Sequence, residues 1–243
     1  MTEDSPANRH FAPTRWTVVL AAGRTDTTRA HAALAELCQT YWYPLYAFIR
    51  RRGHPAHDAQ DLTQGFFARL LERKSLADLT RERGKFRSFL LSSLQHFLVD
   101  EWRKAQAEKR GGGRVVSLDA AEAEDRFAHE PADRGTPEKL FEQNWALALL
   151  DAVYGRLQRE YEQNGKGALF GALKFCLTGA RSDVPYAELA RSLGLSEGAV
   201  KTLVHRLRQR YRELLREEVA QSVASRDEVE EELRCLFRAI AGL

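Results

Sequence analysis

The stretch YAELARSLGLSEGAVKTLVHRLRQRY, residues 186–211, carries the punctuation of two helices with a sharp turn between them. Leu189, Ala190 and Leu193 place an apolar stripe on the first helix at helical spacing. Ala190 is small where two helices approach closely. Gly194 stands where the first helix should stop, because glycine tolerates the left-handed backbone of a helix C-terminus. Leu195 reads as a buried turn residue. Ser196 is a good N-cap for the second helix, and Glu197 puts an acid in its first turn. That second helix turns Val200, Leu203, Val204, Leu207 and Tyr211 inward. Lys201, His205, Arg208 and Arg212 fall on the opposite face, with Thr202, Arg206 and Gln209 beside them. Residues 196–212 hold five Lys/Arg and one acid. A one-sided basic helix after a capped turn is what the phosphate-lined major groove of a duplex accepts.

At 243 residues the chain is long enough for one or two domains with real cores. Its formal net charge is only +3, so a nucleic-acid surface requires the positive charge to be concentrated. Residues 69–87 carry seven Lys/Arg against three acids, whereas residues 117–142 carry eight acids against three bases. This basic–acidic–basic order predicts two nucleic-acid-facing units joined by a segment that avoids DNA. The three cysteines, Cys38, Cys176 and Cys235, are far apart and have no metal-ligand spacing. They read as small buried residues in a reducing cytoplasm. The polar start lacks the features of a signal peptide. No apolar run approaches the ~20 residues of a membrane span.

The fold class predicted is all-α, two small helical domains joined by an acidic flexible linker. Residues 1–29 form an N-terminal extension. A first helical block covers 30–110 and contains DAQDLTQGFFARLLERK (58–74), a basic loop at 79–88 and FLLSSLQHFLVDEWRKAQAEKR (89–110). Residues 111–139, rich in Gly, Ala and acid, read as a largely disordered linker. The GGG at 111–113 lacks the flanks of a phosphate loop and reads as a hinge. A second block covers 140–219, and residues 220–243 form one more amphipathic helix.

Together these features resemble a bacterial RNA polymerase sigma factor of the small extracytoplasmic-function (ECF) group of the sigma-70 family, which has only the second and fourth regions. DAQDLTQGFFARLL looks like the group's polymerase-binding helix. GKFRSFLLSSLQHFLVDEWRK looks like its promoter-melting and −10-reading segment. VPYAELARSLGLSEGAVKTLVHRLRQRYRELL looks like its −35-reading helix-turn-helix. The resemblance covers roughly 30–110 and 140–216. It departs at Phe89, where the group usually has Trp, near His96, where Asn is common, and at Gln60, where an acid is usual.

The resemblance implies that Asp58, Asp61 and Gln64 dock on the β′ clamp helices of core polymerase, and that the chain also meets the β flap. It implies −10 reading and melting by Lys85, Phe86, Arg87, Phe89, His96, Arg103 and Lys104. There cations would hold phosphates and aromatic faces would stack on unpaired bases. Phe97 and Trp102 are expected in the core. It implies −35 reading by Ser196, Glu197, Lys201, Thr202, His205, Arg206, Arg208, Gln209 and Arg212. Thr63 is a candidate phosphorylation site, since a phosphoryl group would replace the charge lacking at Gln60. That implies a Ser/Thr kinase, or else an anti-sigma factor, as a further partner. No cofactor, metal, membrane or catalytic role is expected. No nucleophile motif occurs, and HPAHD (54–58) reads as a loop and helix start rather than a metal site. The competing reading is a stand-alone helix-turn-helix regulator, which would bind duplex DNA tightly without polymerase.

Overall fold

The computed structural model describes residues 15–16, 27–72, 85–107, 118–128, 135–177 and 186–241. Every regular element among them is helical, as the 3.6-residue periodicity predicts. The chain divides into two compact units, Met1–Ala148 with Val219–Leu243, and Leu149–Glu218.

The first unit begins with α1 (Thr27–Gln39) and α2 (Trp42–Arg51). The break between them has a local cause. Pro44 has no N–H to return to residue 40, so it is tolerated only in the first turn of a new helix. α3 (Ala56–Glu72) packs on α2, and α4 (Phe86–Ala107) packs on α3. Leu45, Phe48, Ile49, Phe66, Leu90 and Leu94 form the buried seam. Phe97 joins it as expected, edge-on to Phe66 at 5.7 Å. Arg69 bonds Asp100 at 2.9 Å across α3 and α4.

The acidic segment differs from the expected coil. Residues Leu118–Ala128 form a helix, α5, that packs on α2 and α3. Glu124 accepts a two-pronged pair from Arg50, at 2.9 and 2.7 Å, and a hydrogen bond from the Tyr46 hydroxyl. Arg50 and Arg51 lie over the Phe127 ring, and Arg126 lies over Tyr43. The acids that suggested a solvated linker are therefore partly consumed by cations of α2. The GGG at 111–113 and most of the loop at 79–88 lie outside the described residues.

The tail also belongs to the first unit. It forms α10 (Arg226–Ala241), which buries Val229, Leu233 and Leu236. Glu228 caps its start by accepting from the backbone N–H groups of Ala224 and Ser225. The second unit takes its elements from α6 (Pro137–Gln163), α7 (Gly167–Leu173), a short 3₁₀ turn at Lys174–Cys176, α8 (Tyr186–Leu193) and α9 (Glu197–Ala220). α6 and α9 contribute to both units.

Of the cysteines, Cys38 and Cys176 are buried and Cys235 is half-buried. Burial pushes the Cys38 thiol up to about 12, which keeps it protonated and inert. Among the described residues no helix is long and apolar enough to cross a membrane.

Candidate nucleic-acid interface

The turn between α8 and α9 is built as its residues predict. Gly194 has φ +66°, the left-handed backbone that glycine adopts without strain. The Leu195 N–H bonds the Ala190 carbonyl at 2.9 Å and the Gly194 N–H bonds that of Arg191 at 3.3 Å. This nested pair is a Schellman motif, and it satisfies carbonyls that the end of α8 would leave open. The Ser196 hydroxyl accepts from the Ala199 N–H at 3.2 Å and caps α9. Such a cap contributes roughly 0.5–2 kcal/mol. Leu195 departs from expectation. It is 41% exposed, because the turn directs it outward past the end of α8.

α9 is two-faced. Val200, Val204 and Leu207 are buried. Lys201, Thr202, His205, Arg206, Gln209 and Arg212 are exposed, as are Ser196 and Glu197 at its start. Arg208 is committed elsewhere. It is only half-exposed, and its Nε donates to the Cys176 carbonyl at 2.7 Å, tying α9 to the 3₁₀ turn. That bond holds the Arg208 side chain against the 3₁₀ turn rather than extended into solvent with its neighbours on the basic face. Gln209 also bonds Glu213, at 3.2 Å.

Arg210 stands off this face. It grips Glu160 of α6 through two bonds of 2.9 Å and reaches Glu213 and Glu217. Arg156 bonds Glu217 at 2.7 Å. The Arg210 hydrogen bond holds the Glu160 carboxyl below its usual range. The folded-state pKa is depressed, so this contribution is present above the unfolded carboxylate pKa, about 4.3, and is lost as pH falls below it. The thermal midpoint of the protein is expected to drop more steeply between about pH 4.5 and pH 3 than that of a Glu160→Gln variant. Parallel slopes in a calorimetric pH series would refute this role for Glu160.

The segment expected to melt DNA is divided in the structure. His96, Arg103 and Lys104 are exposed on α4, with Lys104 bonded to Glu101 at 2.7 Å. Phe86, Arg87 and Phe89 are buried. Trp16 stands 5.0 Å from the Phe86 ring and 5.4 Å from that of Phe89, and Tyr41 meets Phe86 edge-on. Arg87 bonds Glu142 and the fully buried Glu232, and its guanidinium lies 4.5 Å over the Trp145 ring. Lys85 bonds Glu231 and Glu232, each at 3.1 Å. Burial works against both cationic charges, but the bonds to Glu232 outweigh it and hold Lys85 and Arg87 above their usual ranges. The expectation that Lys85, Phe86, Arg87 and Phe89 face DNA is corrected for the free chain. The reason is that α10 and Trp16, which lie outside the motifs, cover them.

On α3, Asp61 and Gln64 are exposed and Asp58 is half-exposed, paired with His57 at 2.8 Å. Gln60 and Thr63 point the other way. Gln60 is buried, so the acid it replaces would not have lain on the exposed face. Thr63 is fully buried and donates its hydroxyl to the Ala59 carbonyl at 2.6 Å. A kinase cannot reach it there, and a phosphoryl group has no space, so the phosphorylation reading of Thr63 is corrected. Trp102, expected in the core, is 63% exposed. With Val99, Leu98 and Leu62 it floors a groove of about 570 Å³, rimmed by Asp58, Asp61, Glu101, Arg52 and His54. A tryptophan on a largely apolar helix reads as core, and only the packing of α3 and α4 reveals the open groove.

A family model for sigma-70 region 2 matches residues 37–108, which include α2, α3 and α4. The chain is also 27% identical over 203 residues to the ECF RNA polymerase sigma factor SigE of Mycolicibacterium smegmatis, covering 82% of this chain and 69% of that protein. No solved structure gave a significant match.

Proposed function

We propose, from the premise that this chain belongs to the ECF group of the sigma-70 family, that it binds core RNA polymerase and directs initiation by reading promoter DNA in two places. It acts by binding rather than by catalysis. The groove between α3 and α4 docks on polymerase, with Asp58 and Asp61 on its rim and Trp102 in its floor. The acids would meet cations on the β′ subunit, and the tryptophan supplies the apolar anchor that such interfaces favour.

The observation that carries promoter reading is the exposed face of α9 above its buried stripe. Lys201 and Arg206 have free access to base edges and phosphates. His205, Thr202, Gln209 and Arg212 flank them, and Ser196 and Glu197 lie at the helix start. On α4, the exposed His96, Arg103 and Lys104 would meet the −10 region.

Lys201→Ala and Arg206→Ala are each expected to weaken holoenzyme binding to the −35 element. A base-edge contact contributes ~1–3 kcal/mol, or roughly 5- to 150-fold. A phosphate contact would instead lower affinity uniformly and reduce the salt slope by about 1. Competition binding of holoenzyme to wild-type and scrambled −35 duplexes separates the two. Unchanged affinity and promoter choice in both variants would refute the assigned face.

A further inference from the structure

The start of α4 carries the chemistry expected at a melted promoter strand, yet three separate segments close over it. From one side comes the chain before α1. Trp16 is fully buried against Phe86 and Phe89, and its backbone N–H donates to the Gln221 carbonyl at 3.0 Å. From the other comes the turn before α10, where the Ser222 carbonyl accepts the Phe86 N–H at 3.0 Å. α10 then sets Glu231 and Glu232 onto Lys85 and Arg87. Glu142 of α6 completes the set on Arg87.

Glu231, Glu232 and Glu142 thus occupy the cationic groups of Lys85 and Arg87, beside the covered rings of Phe86 and Phe89. A carboxylate pairs with Arg or Lys in the same geometry as a phosphate oxygen. Glu232 is fully buried and Arg87 nearly so, and a buried pair of this kind contributes less net stability than its short distances suggest. The cations stay compensated if a phosphate takes the place of the carboxylates, so the contact is suited to exchange. Lys85 and Arg87 can pass from carboxylate to phosphate with little change in their own solvation. The cap is also continuous. Gln221 and Ser222 hold Trp16 and Phe86 together, so release of α10 would loosen the cover of the rings as well.

We propose that α10 is an autoinhibitory latch, in which Glu231 and Glu232 stand in for DNA phosphates on Lys85 and Arg87 and keep free protein from binding single-stranded DNA. This rests on the reading that the start of α4 meets the melted strand. The latch opens when the chain is on polymerase and promoter, so that only the assembled enzyme presents these residues.

The test uses the full chain and a labelled single-stranded oligonucleotide carrying the non-template −10 sequence. Glu231→Gln with Glu232→Gln should raise the affinity of free protein. It should also steepen the dependence of log K on log salt by about 1.4, from two further phosphate contacts at ~0.7 each on a single strand. The control is Asp227→Asn with Glu230→Gln, which removes the same charge from exposed positions of α10 and should leave the slope unchanged. Equal effects of the two pairs would overturn the latch, since charge alone would then explain the gain. Glu231→Gln singly, at an exposed position, should give a smaller steepening of the same sign if the double variant does not fold. Backbone exchange on the unaltered chain gives an independent reading. Residues 226–241 should lose protection when the holoenzyme opens a promoter, and undiminished protection there would refute the proposal. Initiation by the unaltered chain, with no change in oligonucleotide binding by the latch variants, removes the latch and leaves the proposed function standing. Absence of initiation removes that function instead.

Discussion

Val200→Asp should unfold the helix-turn-helix. Val200 is fully buried on α9, one turn after the Ser196 cap, beside Val204 and Leu207. A carboxylate there has no cation on the buried stripe and must either be protonated or be drawn out to water, dragging the first turn of α9 with it. The expected cost is more than about 4 kcal/mol, in the range reserved for buried unpaired charge. Circular dichroism should lose the helical signal of this unit, and promoter binding should vanish with it. Lys201→Asp, one residue on but exposed, should leave stability within about 0.5 kcal/mol while also impairing DNA binding. This pair separates folding from recognition. A Val200→Asp protein that melts like the parent would mean that α9 does not pack through this face.

The second large effect is expected at Arg87. Removing its side chain as Arg87→Ala leaves Glu232 fully buried with Lys85 as its remaining ion-pair partner, and opens space over the Trp145 ring. Breaking one side of a buried pair costs about 3–5 kcal/mol, and the surviving Lys85 contact puts this case near the lower bound. The double change Arg87→Met with Glu232→Leu should recover most of that loss, because apolar replacements remove the uncompensated charge. Urea unfolding of the single and double variants measures both. A double variant no more stable than Arg87→Ala would show that the guanidinium contributes by packing alone.

Much of the local chemistry set by neighbours in sequence was readable, though Leu195, expected inside the turn, is exposed. Gly194 at a left-handed turn, Ser196 as the cap, and the buried and basic faces of α9 each follow from spacing and side-chain type, and the structure has them. The all-helical class follows from the same periodicity. What sequence could not give is long-range pairing. Arg87 and Glu232 are 145 positions apart, and nothing local to GKFRSF says that an acid from the tail will cover it. Charge composition misled for the same reason at 111–139. Acids count as solvating until a partner is found, and Arg50 provides one for Glu124. Trp102 and Thr63 mark the limit of periodicity. A helix stripe says which residues share a face, but which face is covered depends on the neighbouring helix. The result left Trp102 open and Thr63 enclosed.

The most direct measurement is run-off transcription, with core RNA polymerase from the same cells and fragments of its genomic DNA. Addition of this chain should produce transcripts from discrete start sites that core polymerase alone does not make, and these should weaken with Lys201→Ala or Arg206→Ala. If the chain instead binds duplex DNA tightly by itself and produces no initiation with core polymerase, it is a free-standing regulator and does not direct promoter-specific initiation.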